Sequence, residues 1–298
     1  MAKRPLVHLI DGPVYIFRAY YSMPPMSAPN GSPTNAAYGY ANTLIKYLAD
    51  VEATHVAVAF DYSAESFRTE IEPEYKAGRG ETPDDLAPQF DLCIRVTEAL
   101  GIPVFEVQNY EADDLLAALA DRAVGHDAHA RVVTTDKDLA QVVREDGRVV
   151  TYDLARDVER DADGVRAKFG VDPDQIPDYL GLVGDNVDNL PGVPGVGPKG
   201  ASAALRAFGQ IEHIPSDPLE WSEVGIRGAK RVAALIEEHR DRALRTRELA
   251  TVCRDVPGTA VDLDALAYRG ADPTAVETLF EELGWQRIAT RIARWADR

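Results

Sequence analysis

The chain has 298 residues, of which 45% are hydrophobic and 27% charged, with 32 Lys and Arg against 49 Asp and Glu. This length corresponds to one large or two ordinary domains, and the apolar content excludes a disordered chain. The apolar runs are too short to span a bilayer, and the one before Asp11 is too short for a signal peptide, so we expect a cytoplasmic protein. Cys93 and Cys253 lie in separate helical patterns, which predicts reduced core thiols and excludes a disulfide scaffold or a structural zinc site.

The first half of the chain alternates between two patterns. Apolar, β-branched runs of strand length occur at Leu6–Ile10, His55–Phe60, Ile102–Val107, Arg131–Thr135 and Arg148–Tyr152. Helical patterns lie between them at Asn35–Val51, Asp85–Leu100, Glu111–Val124 and Lys137–Val143. Strands and helices that alternate at this spacing predict an α/β fold with a parallel sheet covered on both faces.

One segment of this first half, Tyr62–Pro88, fits neither pattern. It follows a predicted strand directly and carries Arg68, Lys76 and Arg79 among glycines and prolines. Long loops in α/β domains are usually functional, so we expect a mobile, partly helical excursion above the sheet. The alternative is a surface insertion without a role.

From about residue 160 the strand pattern ends and short helices follow, separated by Gly and Pro. They are predicted at Asp163–Phe169, Gln175–Val183, Lys199–Phe208, Ala229–Glu238, Asp241–Val252, Pro273–Leu283 and Trp285–Trp295. We therefore expect two domains, residues 1–170 and 171–298, and we interpret Trp285 and Trp295 as core anchors of the terminal helices.

Acidic residues follow each of the first four predicted strands. Because the carboxyl ends of parallel strands open onto one edge of a sheet, we expect these side chains to converge there. Asp185 and Asp188 follow a predicted helix and extend the same set. The candidates are Asp11, Asp61, Glu111, Asp113, Asp114, Asp136, Asp138, Asp185 and Asp188.

Carboxylates this close together need a counter-charge, because like charges raise one another's pKa. Hard oxygen ligands in a partly open site suit Mg²⁺ or Mn²⁺, and several of them suit two ions about 4 Å apart that promote phosphodiester hydrolysis. For any single Asp after a strand, a helix cap or a turn former is the alternative.

A glycine-rich stretch runs from Gly192 to Ala201. It contains a formal G-x-G-x-x-G, but no strand precedes it, which argues against a dinucleotide site, and Pro198 breaks a Walker A pattern. We interpret it as a helix–hairpin–helix turn near residues 185–210, whose backbone N–H groups and Lys199 would contact phosphate; a purely structural turn is the alternative.

Charge is distributed unevenly along the chain. Residues 191–298 hold 15 basic and 16 acidic residues, so nearly all of the net charge of −17 belongs to the first 190 residues. Residues 227–254 alone hold eight basic and four acidic residues, which suits a duplex backbone.

These motifs, in this order, resemble the bacterial and phage 5′ nuclease (flap endonuclease) family, most closely the 5′-nuclease domains of bacterial DNA polymerases I, here as a stand-alone chain. The chain departs from the family pattern at Pro13-Val14, Thr135, Pro198 and Gly200. The resemblance rests on Leu9-Ile-Asp-Gly12, Tyr15-Ile-Phe-Arg-Ala-Tyr20, Ala59-Phe-Asp61, Phe67-Arg68, Tyr75-Lys76, Arg79, Glu111-Ala-Asp-Asp114, Thr135-Asp-Lys-Asp-Leu139 and Gly184–Gly197.

The resemblance implies a PIN-like domain with a helical arch near residues 62–90 and a helix–three-turn–helix DNA-binding region. It implies a first metal site at Asp11, Asp61, Glu111 and Asp113, and a second at Asp136, Asp138, Asp185 and Asp188, to which Asp114 also belongs, shared with the first. Arg18, Lys76 and Arg79 match residues that hold the scissile phosphate or the threaded strand. Arg68, Tyr75, Gly195, Gly197 and Lys199 are expected to contact DNA, and Val193 and Val196 to bind K⁺.

The expected activity is Mg²⁺-dependent 5′→3′ exonuclease and flap endonuclease cleavage in DNA replication and repair, with Mn²⁺ as a substitute metal. The expected partners are DNA with 5′ flaps or 5′ ends and a DNA polymerase, with no membrane, and the chain is expected to be a monomer. Two alternatives remain open: a PIN-type ribonuclease and a non-catalytic DNA-junction binder.

Overall fold

A computed structural model describes residues 4–222 and 224–297. The prediction that there is no signal peptide falls partly on residues 1–3, which lie outside the described residues. Within the described residues, no helix combines the length and apolarity that crossing a membrane requires.

The helices and strands follow one another along the chain in a mixed order. They are β1 (Leu6–Asp11), α1 (Gly12–Ser22), α2 (Asn35–Val51), β2 (His55–Ala59), α3 (Phe67–Ile71), α4 (Ala87–Ala99), β3 (Val104–Phe105), α5 (Ala112–Gly125), β4 (His129–Val133), β5 (Val149–Asp153), β6 (Val158–Arg160), α6 (Ala162–Phe169), α7 (Ile176–Val183), β7 (Gly184–Asp185), β8 (Leu190–Pro191), α8 (Pro198–Phe208), α9 (Ala229–Glu238), α10 (Arg240–Ala250), α11 (Pro273–Leu283) and α12 (Gln286–Ala289). Short 3-10 helices cover Asp138–Val142, Pro173–Gln175, Ile211–His213, Pro218–Trp221 and Asp264–Leu266.

The chain forms two compact units. The first consists of the residues up to Ala64, Glu81–Thr135 and the residues from Arg254 on, and the second of Glu65–Gly80 and Asp136–Cys253. The expected linear division at residue 170 therefore differs from the compact units, because the chain passes from the first to the second and back twice.

The first unit is built on parallel strands in the spatial order β3-β2-β1-β4. Val7 and Leu9 of β1 and Val56 and Val58 of β2 are fully buried, and α5 packs against β1 and β4. Such apolar strands, buried on both faces, are typical of a parallel sheet. The α/β prediction is confirmed.

The second unit is mainly helical. Its core centres on the fully buried Trp221 and on Leu205 and Ile236, which come from three different helices. Strands β5 and β6 form an antiparallel pair, and β7 and β8 form a second, shorter one. The helical pattern predicted for this part of the chain is confirmed, and β5 agrees with the strand predicted at Arg148–Tyr152. The shorter strands β6, β7 and β8 carry too few residues to produce a pattern.

The C-terminal helix predicted at Trp285–Trp295 is wrong over most of its length, because α12 ends at Ala289. Beyond it, the chain pairs with Ala271, whose N–H donates to the carbonyl of Arg294 at 3.0 Å and whose carbonyl accepts from Ala296 at 2.9 Å. Trp285 is a buried core residue as predicted, but Trp295 is 40% exposed and is no core anchor.

Candidate active site

A first group of acidic side chains lies at the carboxyl ends of the parallel strands in the first unit. Asp11 is the last residue of β1, where it pairs with Ala59 of β2, and Asp61 follows two residues beyond Ala59. Glu111 is the N-cap of α5, the helix that follows β3, and Asp113 and Asp114 lie in its first turn.

Backbone and hydroxyl donors hold these carboxylates in place. Asp11 caps α1, since its Oδ1 accepts from the Val14 N–H at 3.3 Å, and its Oδ2 accepts from the Thr134 hydroxyl at 2.7 Å. Asp61 accepts from the N–H of Ala112, the first residue of α5, at 2.7 Å. These hydrogen bonds orient the carboxylates. Thr134 has no motif of its own, so sequence analysis missed it.

Glu111 and Asp114 form a reciprocal capping box at the start of α5. The Asp114 carboxylate accepts from the Glu111 N–H at 3.1 Å, and the Glu111 side chain accepts from the Asp114 N–H. Asp114 is fully buried, whereas Asp61 is exposed and Asp113 half-buried. Helix capping is thus part of what these acids do, in addition to any role as ligands.

A second acidic group lies entirely within the second unit. It comprises Asp136, Asp138, Asp185 and Asp188. Asp136 accepts from the Asp138 N–H at 2.8 Å in the turn that enters a 3-10 helix, and Asp185 accepts from the Val187 N–H at 2.9 Å in the β7–β8 turn. Asp188 lies three residues further along the same turn.

The charges of this second group act on one another. Burial, together with the charges of Asp136 and Asp185, raises the pKa of Asp138 to about 8. Burial also raises the pKa of Asp136, with further contributions from Asp188 and Asp185. Asp138 Oδ1 is buried and accepts no hydrogen bond from any described residue. Bringing these acids together is therefore costly in the absence of a cation.

Two cationic side chains lie against this group. Lys137 Nζ is 2.7 Å from Asp185 Oδ2, and Arg79 donates to Asp188 Oδ1 at 2.5 Å. Burial alone would lower the pKa of Lys137, but its hydrogen bond to Asp185 and the surrounding carboxylates raise it. Lys137 lies inside the Thr135-Asp-Lys-Asp motif, yet the residue type alone did not reveal it as the counter-ion of Asp185.

The second group fits a divalent cation by its chemistry. Its oxygen atoms are hard carboxylate donors, one of them buried without a hydrogen-bond donor among the described residues, and a nearby cation would lower the raised pKa values of Asp136 and Asp138. Among the described residues, no group of three or more His, Cys, Asp or Glu side chains is arranged to hold a metal ion. The fit therefore rests on the donor set and its electrostatics.

The basic residues predicted to contact DNA fall into two classes. Lys76 and Arg79 retain exposed side-chain surface, and Arg18 is exposed on α1. Arg68, in contrast, is only 2% exposed and donates to the backbone carbonyls of Leu249 at 2.8 Å and Thr251 at 3.0 Å. The prediction that Arg68 contacts DNA is wrong, because its guanidinium is used at the C-terminus of α10.

The prediction that Tyr75 contacts DNA is wrong for the same reason, burial of the side chain. Its side chain is 5% exposed and belongs to the core of the second unit, where its hydroxyl donates to Asp188 Oδ2 at 3.3 Å. A base or phosphate therefore has no access to its ring. The aromatic residue type suggested DNA stacking, but burial decides against it.

The glycine-rich stretch forms the predicted turn between α7 and α8. Gly195 has φ +82°, which a residue with a side chain rarely adopts, and Gly197 is the N-cap of α8. Pro198 occupies the first turn of α8, where its missing N–H costs nothing. The side chains of Val193 and Val196 are buried, so only their backbone carbonyls could bind an ion. Lys199 is exposed.

The basic stretch 227–254 divides in the same manner as the arginines above. Four arginines are engaged with acids or backbone carbonyls: Arg240, Arg245, Arg247 and Arg254. Four exposed side chains make no ion pair with any described residue: Arg227, Lys230, Arg231 and Arg242. Arg242 lines one hollow with Gly192 and Gly195, and the Arg231 guanidinium lies beside Gly195. Residue type and spacing do not distinguish the engaged arginines from the exposed cations without an ion pair.

Comparison with protein families decides the classification. The 5′-3′ exonuclease N-terminal resolvase-like domain matches residues 6–170, and the 5′-3′ exonuclease C-terminal SAM fold matches residues 171–274. The chain belongs to the 5′-3′ exonuclease family. The predicted family is thereby confirmed.

Individual relatives agree with this assignment. DNA polymerase I of Bacillus caldotenax is 41% identical over 97% of this chain, and that of Pseudomonas aeruginosa is 39% identical over 99%. The chain spans about a third of the length of these curated relatives, 32% in both cases.

Among solved structures, the T5 5′-exonuclease with bound zinc superposes with a TM-score of 0.67 at 21% identity, over 93% of this chain and 98% of that one. At this identity the similarity shows a shared fold.

Proposed function

We propose that this chain is a structure-specific nuclease that hydrolyses DNA phosphodiester bonds at 5′ ends and 5′ flaps. The observation that carries the proposal is the pair of acidic groups, one at the strand ends of the first unit and one in the second unit. Each group is made of oxygen ligands in a family whose T5 member carries divalent metal ions.

Asp11, Asp61, Glu111 and Asp113 would hold one divalent cation, with Asp114 behind them. Asp136, Asp138, Asp185 and Asp188 would hold another, and we infer that Mg²⁺ is the metal, with Mn²⁺ as a substitute. When bound, the two cations would lower the pKa of a water and stabilise negative charge on the phosphate oxygens.

The chain's own residues would supply the remaining functions. Arg18, Lys76 and Arg79 present charges that can bind a phosphate and orient it. The Val193–Val196 turn would offer carbonyls to K⁺, and Lys199 with the four cations of residues 227–242 that make no ion pair with a described residue would contact the duplex backbone. Positioning the phosphate before the reaction is a principal source of catalysis in such enzymes.

We further propose that the chain acts as a monomer in the cytoplasm, and that a DNA polymerase is its working partner, since the relatives carry this region within DNA polymerase I. We also propose that residues near 62–90 act as a helical arch and that the chain divides functionally near residue 170.

The test is cleavage of a duplex with a single-stranded 5′ flap, labelled at its 5′ end, in Mg²⁺ or EDTA. We expect Mg²⁺-dependent cuts at the flap junction, with the fragment size separating endonuclease from exonuclease action. An RNA version of the substrate is the matched control. Degradation of RNA without a DNA cut would favour a ribonuclease, and tight flap binding without a cut would favour a junction binder; either result would overturn the proposal.

A further inference from the structure

Arg79 lies in a short turn that is attached to the second acidic group at several points. In this turn, Glu74–Arg79, the Lys76 N–H donates to the Asp188 carbonyl at 2.9 Å, and the Glu74 carbonyl accepts from the Asn189 side chain at 2.7 Å. Both carboxylate oxygens of Asp188 are engaged as well, Oδ1 by Arg79 and Oδ2 by the Tyr75 hydroxyl. Asp188 is therefore the anchor of the turn.

The same Asp188 oxygens are ligands in the proposed function. A divalent cation on Oδ1 would lie within a few ångströms of the Arg79 guanidinium, and like charges at that distance repel each other. Cation binding and the Arg79–Asp188 ion pair are therefore expected to oppose each other.

We propose that Arg79 is a built-in counter-ion of the second acidic group, which a divalent cation displaces so that Arg79 becomes available to bind a phosphate. The inference rests on the proposed metal role of Asp188. Metal binding and release of the Glu74–Arg79 turn are then thermodynamically coupled. Metal binding favours release of the turn, and release strengthens metal binding by the same factor.

The backbone of the Glu74–Arg79 turn is strained at Lys76. Lys76 has φ +58°, in the left-handed region that disfavours a residue with a side chain. Its N–H is tied to the Asp188 carbonyl, so loosening the Asp188 contacts also removes a constraint that keeps Lys76 strained.

The preceding helix is fastened separately. Arg68 donates to the carbonyls of Leu249 and Thr251, and Arg245 donates to the Ile71 carbonyl at 2.9 Å. None of these bonds involves an acid of the second group. Displacement of Arg79 is therefore expected to free the turn while α3 stays in place.

The first experiment measures Mn²⁺ binding to the DNA-free full chain by electron paramagnetic resonance. We expect Arg79→Gln to tighten Mn²⁺ binding at least about threefold, and Arg79→Lys to have an affinity between those of Arg79→Gln and the wild type. In the Asp188→Asn background, Arg79→Gln should no longer change the Mn²⁺ affinity. Arg95→Gln, which removes a surface ion pair to Glu282, is the control and should bind as the wild type does. Circular dichroism verifies that each variant is folded.

The second readout is limited trypsin digestion followed by mass spectrometry. Mg²⁺ should accelerate cleavage after Lys76 and Arg79 and leave cleavage after Arg68 unchanged. If Asp188→Asn weakens Mn²⁺ binding but Arg79→Gln binds as the wild type does, the inference is overturned while the proposed function stands. If Asp188→Asn leaves Mn²⁺ binding unaltered, the metal role of Asp188 fails, and the inference fails with it.

Discussion

At the scale of single residues, the candidate acids serve the fold as well as the site. Asp11 caps α1, Asp61 binds the first N–H of α5, and Asp114 closes a capping box. Substitution by Ala would remove both a ligand and a cap, which costs about 1 kcal/mol of stability by itself. Asn keeps most of the cap and removes the charge, so it is the informative substitution at these positions.

Asp138 should make the metal-free protein less stable as the pH rises. Its pKa is about 8 in the folded protein and near 4 in an unfolded chain, so between these values the folded state binds the extra proton and stability falls with rising pH. Asp138→Asn should remove up to about 1.4 kcal/mol per pH unit of this slope. Urea unfolding in EDTA from pH 4 to 8 measures it; parallel curves for variant and wild type would contradict the prediction.

Arg68 should matter for stability rather than for DNA binding. Arg68→Met removes two charge-assisted hydrogen bonds to the end of α10 and leaves buried carbonyls without donors, which should cost about 2–4 kcal/mol. Arg68→Lys should restore part of the loss. Chemical unfolding measures this directly. A stable Arg68→Met protein that has lost DNA affinity would instead make Arg68 a DNA contact.

The sequence indicates where the candidate acids lie relative to the strands, but it does not indicate which residues they contact. An acid after a buried strand is visible in the chain, and the parallel sheet then determines where Asp11, Asp61 and Glu111 lie. The pairing of Arg79 with Asp188 joins residues 109 positions apart, and the burial of Arg68 depends on α10. Both contacts arise from tertiary packing, which the residue types in a short segment do not indicate.

At the scale of elements, helices with a sustained apolar period were predicted to the residue. Examples are α2, α9 and α11, the last of which begins at Pro273 after the N-cap Asp272 and ends before Gly284. The helix α1 was missed because it begins directly after β1 with no intervening turn. The C-terminal helix was overpredicted because pairing with Ala271 outweighs local helical preference.

The hairpin turn should be sensitive to substitution at one glycine and tolerant at another. A Cβ on Gly192 would lie 2.3 Å from the Val183 carbonyl carbon, whereas one on Gly197 would meet nothing within 4 Å. Gly192→Ala should therefore cost about 1–3 kcal/mol and weaken duplex binding, and Gly197→Ala should behave as the wild type. Thermal unfolding and duplex titration check this; equal behaviour of the two variants would contradict it.

At the scale of the whole molecule, the net charge of −17 conceals the surface that would meet DNA. The acids concentrate in the first 190 residues, in part within the two candidate metal groups. Exposed cations without an ion pair to a described residue include Lys199 on α8, Lys230 and Arg231 on α9, and Arg242 on α10. An acidic chain is therefore compatible with a nucleic-acid partner when its exposed cations are not paired with its acids.

The salt dependence of duplex binding should be reduced by loss of an exposed cation without an acidic partner, and not by loss of one that is held by acids. Each neutralised phosphate contributes about −0.9 to the slope of log affinity against log salt, so Arg242→Gln should reduce the slope by about 1. Arg247→Gln, on the same helix, should leave the slope unchanged because Arg247 is held by Glu212 and Asp178. Fluorescence anisotropy across a salt series measures both; an unchanged slope in Arg242→Gln would remove Arg242 from the interface.

The proposed metal role of the acidic residues is tested with one acid from each group, Asp61→Asn and Asp185→Asn, in single-turnover cleavage of a 5′-flap duplex at saturating Mg²⁺. Both variants should lose at least about 100-fold in rate, because each substitution removes a ligand of a cation that the proposed reaction needs. Flap affinity, measured with Ca²⁺ in place of Mg²⁺, should change by less than about threefold. Full Mg²⁺-dependent turnover in either variant would contradict the proposed metal role of the acidic group to which that residue belongs.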